Sequence, residues 1–297
     1  MFDYLAGYGL DRFREAVANG NLIKVQKFIN YYKARNKLDY ILHDYWGAFV
    51  IKAPPGFYGS NLLFDAFRIK DHPQYEAAFM LLEAGTRPSY VDAFDRNIYH
   101  FMIGRGELNF FRYMLFYDKE DFSDVLKISY GGHPATINDQ LNAWDRVCPG
   151  RKDRIINTAN DVKVIRARLA QVEWAPIDIT ANCYFEIATL YLKHADYEKL
   201  PEYKGLDIFR KKYLIKAYKA FQKANESYEK LTALNPLQKA KSLEALTHLI
   251  SIANELNLLE DELLYSARLS LGQTNAAQAP FLAAAGAGTA LRSPVLE

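Results

Sequence analysis

Cys148 is the only cysteine of this 297-residue chain with a histidine and a carboxylate close by in sequence, His133 and Asp145. A cysteine nucleophile needs a histidine within hydrogen-bond reach and usually a carboxylate or amide to orient it. Pro149 and Gly150 follow Cys148 in no catalytic signature, and the plainer reading of it is a buried thiol. Cys183 falls on the apolar face of a helix and reads the same way. Neither cysteine belongs to a C-x-x-C pair or stands near a histidine at metal-ligand spacing. His43, His72, His100, His194 and His248 occur singly, without an H-E-x-x-H pair, so zinc hydrolysis has no support. No G-x-x-x-x-G-K-[ST], G-x-G-x-x-G or G-x-S-x-G is present, and Gly104-Arg105-Gly106 fits a turn between helices. The residues point to no catalytic, cofactor-binding or metal-ligating position, and no cofactor is expected.

Charge offers a second chemistry. Lys212, Lys216, Lys219 and Lys223 follow one another at i, i+4, i+7 and i+11, beside Arg210 and Lys211, so a helix there carries a row of ammonium groups on one face. Such a row is an anion-binding surface for an acidic partner or anionic lipid headgroups, or else the solvated face opposite Tyr213, Ala217 and Phe221. Residues 144–170 set Arg146, Arg151, Lys152, Arg154, Lys163, Arg166 and Arg168 against Asp145, Asp153 and Asp161, again an anion-binding face or a solvated one. The whole chain has a net charge of only +2, too little to imply nucleic-acid or membrane binding, and no nucleic-acid partner is expected. No basic segment followed by an apolar one opens the chain, and no run of about 18 apolar residues occurs. Neither a cleavable export signal nor a membrane span is expected, and two cysteines suit a cytoplasmic setting.

The elements that position these residues repeat. Asn61-Leu62-Leu63-Phe64-Asp65-Ala66 and Asn97-Ile98-Tyr99-His100-Phe101-Met102 align at an offset of 36 residues, each followed by a second apolar helix, Leu81-Leu82-Glu83-Ala84-Gly85 and Phe110-Phe111-Arg112-Tyr113-Met114-Leu115. An earlier pair, Phe13 to Gly20 and Leu22 to Ile29, has the same form, with Leu22, Val25, Phe28 and Ile29 on the apolar face of its second helix. Ala16, Leu63, Ala66, Leu81, Leu82, Met102, Phe111 and Leu115 take the positions of a core between units. Self-similarity at this period marks stacked helix pairs.

The segments Ala16 to Ile29, Leu81 to Gly85 and Gly106 to Leu115 resemble ankyrin repeats, with an alanine-rich first helix, a glycine turn and a second apolar helix. His100 falls where ankyrin units carry the histidine of Thr-Pro-Leu-His. Asn97 and Ile98 replace the Thr-Pro, Phe64 replaces the histidine of the preceding unit, and about three extra residues lie around Lys70 to Gln74. The resemblance implies a binding role and carries no catalytic residue. Ala217 to Ala224 followed by Asn235-Pro236 resembles, more weakly, the second helix of a tetratricopeptide unit.

The expected fold is all-α, an ankyrin-like helical repeat stack followed by a helical bundle. Residues 1–129 form the repeats with an aromatic insertion at 31–60, 130–272 a helical domain, and 273–297 a flexible tail. Within the second region helices are expected at about 136–147 and 159–172, and Leu263, Leu264 and Ala267 mark a last one.

Two functions follow. The first is a non-enzymatic protein–protein interaction module, binding through Tyr58, Arg68, Tyr90, Phe94, Asp95, Arg96 and Arg105 at or beside the turns, since aromatic and Arg side chains dominate interface anchors. Degenerate repeats joined to a helical region also resemble ankyrin-containing effectors that intracellular bacteria secrete into host cells, which implies a host protein as partner and export without an N-terminal signal. The alternative is an enzyme whose catalytic region follows residue 130, with the repeats selecting its substrate.

Overall fold

A computed structural model describes residues 2–43, 62–69, 72–90, 97–130, 133–199, 207–231 and 233–270. Tyr58, Phe94, Asp95 and Arg96, residues 44–60 of the aromatic insertion and the 273–297 tail lie outside them. The described residues are all-α apart from one two-stranded ribbon. The chain divides into two compact units, Met1–Val162 and Lys163–Glu297.

Unit 1 is built of helix pairs. α1 (Phe2–Ala18) and α2 (Leu22–Lys33) form the first, and α3 (Leu38–His43) follows it within the stretch read as insertion. α4 (Leu62–Ala66) pairs with α5 (Tyr75–Glu83), and α6 (Ile98–Arg105) with α7 (Leu108–Met114). After the short α8 (Phe122–Val125), strands β1 (Ser129–Tyr130) and β2 (His133–Thr136) make an antiparallel ribbon leading into α9 (Ile137–Val147) and α10 (Arg151–Val172). α4 opens at Leu62 and α6 at Ile98, at the 36-residue offset of the sequence.

The pairs stack like on like. α1 packs on α4 and α2 on α5. Phe64 of α4 meets Phe101 of α6 at 5.6 Å, and Phe79 of α5 meets Tyr113 of α7 at 4.7 Å. α6 packs on α9, and Arg112 of α7 donates to Thr158 of α10 at 3.1 Å. The compact unit therefore includes α9 and runs on past residue 129 to Val162. α10 begins at Arg151, earlier than its expected start at 159, because Ile155, Ala159, Val162 and Ile165 already supply a buried helical stripe.

Asn97 and Asn21 cap α6 and α2, each accepting a backbone N–H with its side-chain oxygen, and Thr136 with Asp139 forms a capping box on α9. Gly20 and Gly106 turn the chain between paired helices in the left-handed region, at φ 63° and 74°. Each is covered by a side chain from the following pair. A Cβ on Gly20 would stand 2.0 Å from Gln74 Oε1, and one on Gly106 would stand 3.1 Å from the Trp144 ring. All eight residues expected in the core are buried, and between them sit the rings of Phe13, Phe67, Phe79, Tyr99, Phe110 and Tyr113, each shielded from solvent.

Unit 2 consists of the end of α10 followed by long helices: α11 (Ile177–Tyr197), α12 (Asp207–Glu229), α13 (Pro236–Glu255) and a last helix at residues 259–270. α11 and α12 form a closely packed antiparallel hairpin. Ala181, Ala188 and Ala195, spaced by two turns, and Ala217, Ala220 and Ala224 are all buried along it, and residues this small bring two backbones together. Pro236 stands at the first position of α13, behind an Asn235–Gln238 capping box. The last helix buries Tyr265, whose hydroxyl accepts from Gln222 at 3.0 Å, and leaves Leu263 and Leu264 64 % and 47 % exposed. Leu263, Leu264 and Ala267, which marked this helix in the sequence, are exposed on it. Among the described residues no helix is long and apolar enough to cross a membrane.

Candidate partner-binding groove

α6 and α9 leave an open groove of about 560 Å³ between them, in the row formed by the first helices of the pairs. Phe101 and Ile103 line it from α6, Ala143 and Trp144 from α9, and His100, Arg105 and Gln140 add polar edges. Two contacts hold Phe101 in place: the ring of Phe64 behind it and the Arg105 guanidinium 5.2 Å from its centre. Trp144 is fixed against Gly106, where only a glycine leaves it room.

The α6 side is rigid because its polar groups are tied down. His100 is buried, with Nδ1 2.8 Å from the Asn97 side-chain oxygen and Nε2 3.1 Å from the carbonyl of Ile128. Both oxygens only accept, so a neutral ring can donate to one at a time. Burial lowers its pKa to about 4, the Ile128 carbonyl pulling weakly the other way, and the ring is neutral near pH 7. Tyr99 and Ser89 both donate to the buried carboxylate of Asp118, at 2.7 and 2.6 Å, which pins the chain after α5 to the start of α6. Tyr75 donates to Glu107 at 2.5 Å between the second and third pairs, and burial together with that bond pushes its phenol up.

Of the residues expected to bind a partner, Arg105 lies on the groove. It is half-buried and donates through Nη1 to the Phe67 carbonyl at 2.6 Å, so it also joins the third pair to the second. Arg68 is exposed just past the end of α4, and Tyr90 is half-buried with its ring 5.8 Å from His43. His43 accepts the Arg87 backbone N–H on Nε2 at 2.9 Å and therefore carries its proton on Nδ1, facing the Asp39 carbonyl. Sequence reasoning missed Phe101, Ile103, Ala143 and Trp144. The first two read as ordinary helix positions, and the last two lay across an expected domain border.

The cysteines are set differently from an activated nucleophile. Cys183 is buried on α11, its thiol 3.4 Å from Gln171 Oε1, and burial raises its pKa while Arg168 pulls it down and Glu186 adds to the rise. Cys148 is half-buried at the end of α9. Among the described residues no hydrogen bond joins either to a histidine, and no group of three or more His, Cys, Asp or Glu could hold a metal ion.

On α12 in unit 2, Lys212 and Lys216 are half-exposed and Lys219 and Lys223 exposed. Lys216 Nζ stands 5.4 Å from the Tyr191 ring and Lys223 Nζ 5.2 Å from the Tyr184 ring. Nearby Arg210 is bound to Glu255 and is not part of this row.

What fold and groove define together is an all-α chain of stacked helix pairs with an open, mainly apolar surface cleft. No family model matches it, and neither a curated protein nor a solved structure does.

Proposed function

We propose that this chain is a non-enzymatic protein-interaction module, a divergent ankyrin-like stack that receives a segment of a partner protein in the groove between α6 and α9. The groove itself carries the reading. It opens on the first-helix row, the surface that stacked repeats offer to partners, and combines aromatic rings with an arginine at its edge. Two observations favour this reading over an enzyme with its chemistry after residue 130. Burial drives Cys183 away from the thiolate form, and neither cysteine is hydrogen-bonded to a histidine among the described residues. The resemblance to ankyrin-containing effectors makes a eukaryotic host protein the first partner class to test.

The test is capture from eukaryotic lysate with the full chain, followed by affinity measurement on the purified partner. Ala143 is exposed on the groove wall, so Ala143→Trp fills the groove without disturbing the core. The expected result is a loss of about tenfold or more in affinity with an unchanged melting temperature. Unchanged affinity for that partner would remove the groove from the reading.

A further inference from the structure

The α11–α12 hairpin carries a row of apolar side chains beside its row of ammonium groups. Ile177, Tyr184 and Tyr191 follow at seven-residue steps, two helical turns each, and share one face of α11. Lys223 and Lys216 reach the rings of Tyr184 and Tyr191 from α12 at the same seven-residue step, so the two contacts repeat about 10 Å apart along an antiparallel register. Lys219 lies between them and is exposed, and Ile177 keeps 39 % of its surface in solvent. Among the described residues Glu186 pairs with Arg168 and Glu229 with Arg268, and Glu226 is exposed beside the row.

A merely solvated face requires only the lysines. Here Lys216 and Lys223 stand over tyrosines, whose apolar bodies and polar tips suit the level where lipid headgroups meet acyl chains. An acidic peptide would be held by the ammonium groups and would leave Ile177 in water. A lipid surface uses both rows, the cations through the negative surface potential and the rings through partial burial.

We infer that this face of the hairpin docks on an anionic lipid surface, with Lys216, Lys219 and Lys223 meeting the headgroups and Ile177 and Tyr184 lying at headgroup level. The surface belongs to unit 2 and stands independently of the α6–α9 groove. The experiment is co-sedimentation of the full chain with vesicles of phosphatidylcholine alone or with about 30 per cent phosphatidylserine, at about 0.15 M salt. The chain should sediment with the anionic vesicles and not the neutral ones. The triple variant Lys216→Gln, Lys219→Gln, Lys223→Gln should partition about 10²-fold less at an unchanged melting temperature, while the corresponding triple Arg variant retains binding. Ile177→Ser should weaken binding with the charges intact. Equal sedimentation with both vesicles, or a triple Gln variant that binds as the parent, overturns the inference. Binding of a poly-glutamate peptide without binding of anionic vesicles overturns it in favour of an acidic protein segment.

Discussion

Unit 1 and unit 2 are both helical, and they are held together by different means. Most helices of unit 1 are short, α4 having five residues and α7 seven, and helices of that length are unstable alone in water. Polar links therefore recur between its consecutive pairs: Arg14 to Asp65, Tyr75 to Glu107, Arg105 to the Phe67 carbonyl, and the buried Arg112 to Thr158. In unit 2, α11 has 21 residues and α12 has 23, and their seam is lined with buried alanines. Its ion pairs, Arg168–Glu186, Arg210–Glu255 and Arg268–Glu229 among them, stay partly in solvent. Long helices can rely on close packing, whereas short ones need specific cross-links to fix the stack.

The sharpest way to break this contrast is at Asp65. Its carboxylate and the Arg14 guanidinium are both buried and 3.2 Å apart, joining α1 to α4. Asp65→Ala leaves a charge buried without its counter-ion and should cost about 3–5 kcal/mol in urea unfolding. The double variant Arg14→Met, Asp65→Leu should recover most of that loss, since apolar side chains of similar volume replace a buried pair well. A single variant that unfolds like the parent would show that the pair does not tie the stack.

The same stack holds two buried groups whose titrations oppose each other. Burial raises the pKa of Asp65 to about 6 against the pull of Arg14 and Arg68, so its contribution is full below its unfolded pKa of 3.8 and is lost as pH rises through 6. His100 is depressed to about 4, so its contribution is full above its unfolded pKa of 6.5 and is lost as pH falls through 4. Each spans about 3 kcal/mol and the two offset one another between about pH 4 and 6. Measured as the difference from the parent, Asp65→Asn should lose relative stability toward acid pH. His100→Gln should lose it toward neutral pH. Differences that stay constant with pH would refute both assignments.

The paired helices were legible because their pattern repeats along the chain: the offset between Leu62 and Ile98 and the apolar positions from Ala16 to Leu115 show in the residue order itself. The two helices after the ribbon were expected, at about 136–147 and 159–172, and what stayed hidden was the packing of α9 on the stack. The Gly131-Gly132 break and the ribbon around it resemble a domain border, and only the packing of α9 on α6 places Trp144 beside Phe101. Arg105 was chosen as a turn arginine free to bind, and its bond to Phe67, 38 residues earlier, is a long-range fact that spacing does not encode. The last helix went the same way. Its leucines marked the helix, but the buried place went to Tyr265, which has a ring partner in Tyr218 and a hydrogen bond from Gln222.

A smaller effect probes the seam of unit 2. Ala217 is wholly buried on α12, and Ala217→Leu forces extra volume between closely approached helices, for an expected cost of about 1–3 kcal/mol. Ala217→Gly should cost about 1 kcal/mol through helix propensity alone. If the leucine is accommodated with no loss, the hairpin is looser than its alanine seam implies, and the contrast with unit 1 weakens.

The smallest effects come from two glycines on either side of Arg105. Gly106 has a left-handed backbone at φ 74°, and a Cβ there would press on Trp144 at 3.1 Å, so Gly106→Ala should destabilise unit 1 by about 1–2 kcal/mol. Gly104 sits within α6 on the groove, and a Cβ there meets nothing within 4 Å. Gly104→Ala should therefore stabilise by about 0.5–1 kcal/mol, the ordinary gain of alanine over glycine inside a helix. The fold thus contains no packing reason for glycine at 104, whereas close approach of a partner's backbone to the groove would supply one. That makes the substitution a discriminating one. Under the groove reading, Gly104→Ala raises the melting temperature and lowers partner affinity together, because the added methyl stands where the partner passes. A variant that is stabilised and binds unchanged separates the glycine from the binding surface, and one that is destabilised shows that α6 is strained there.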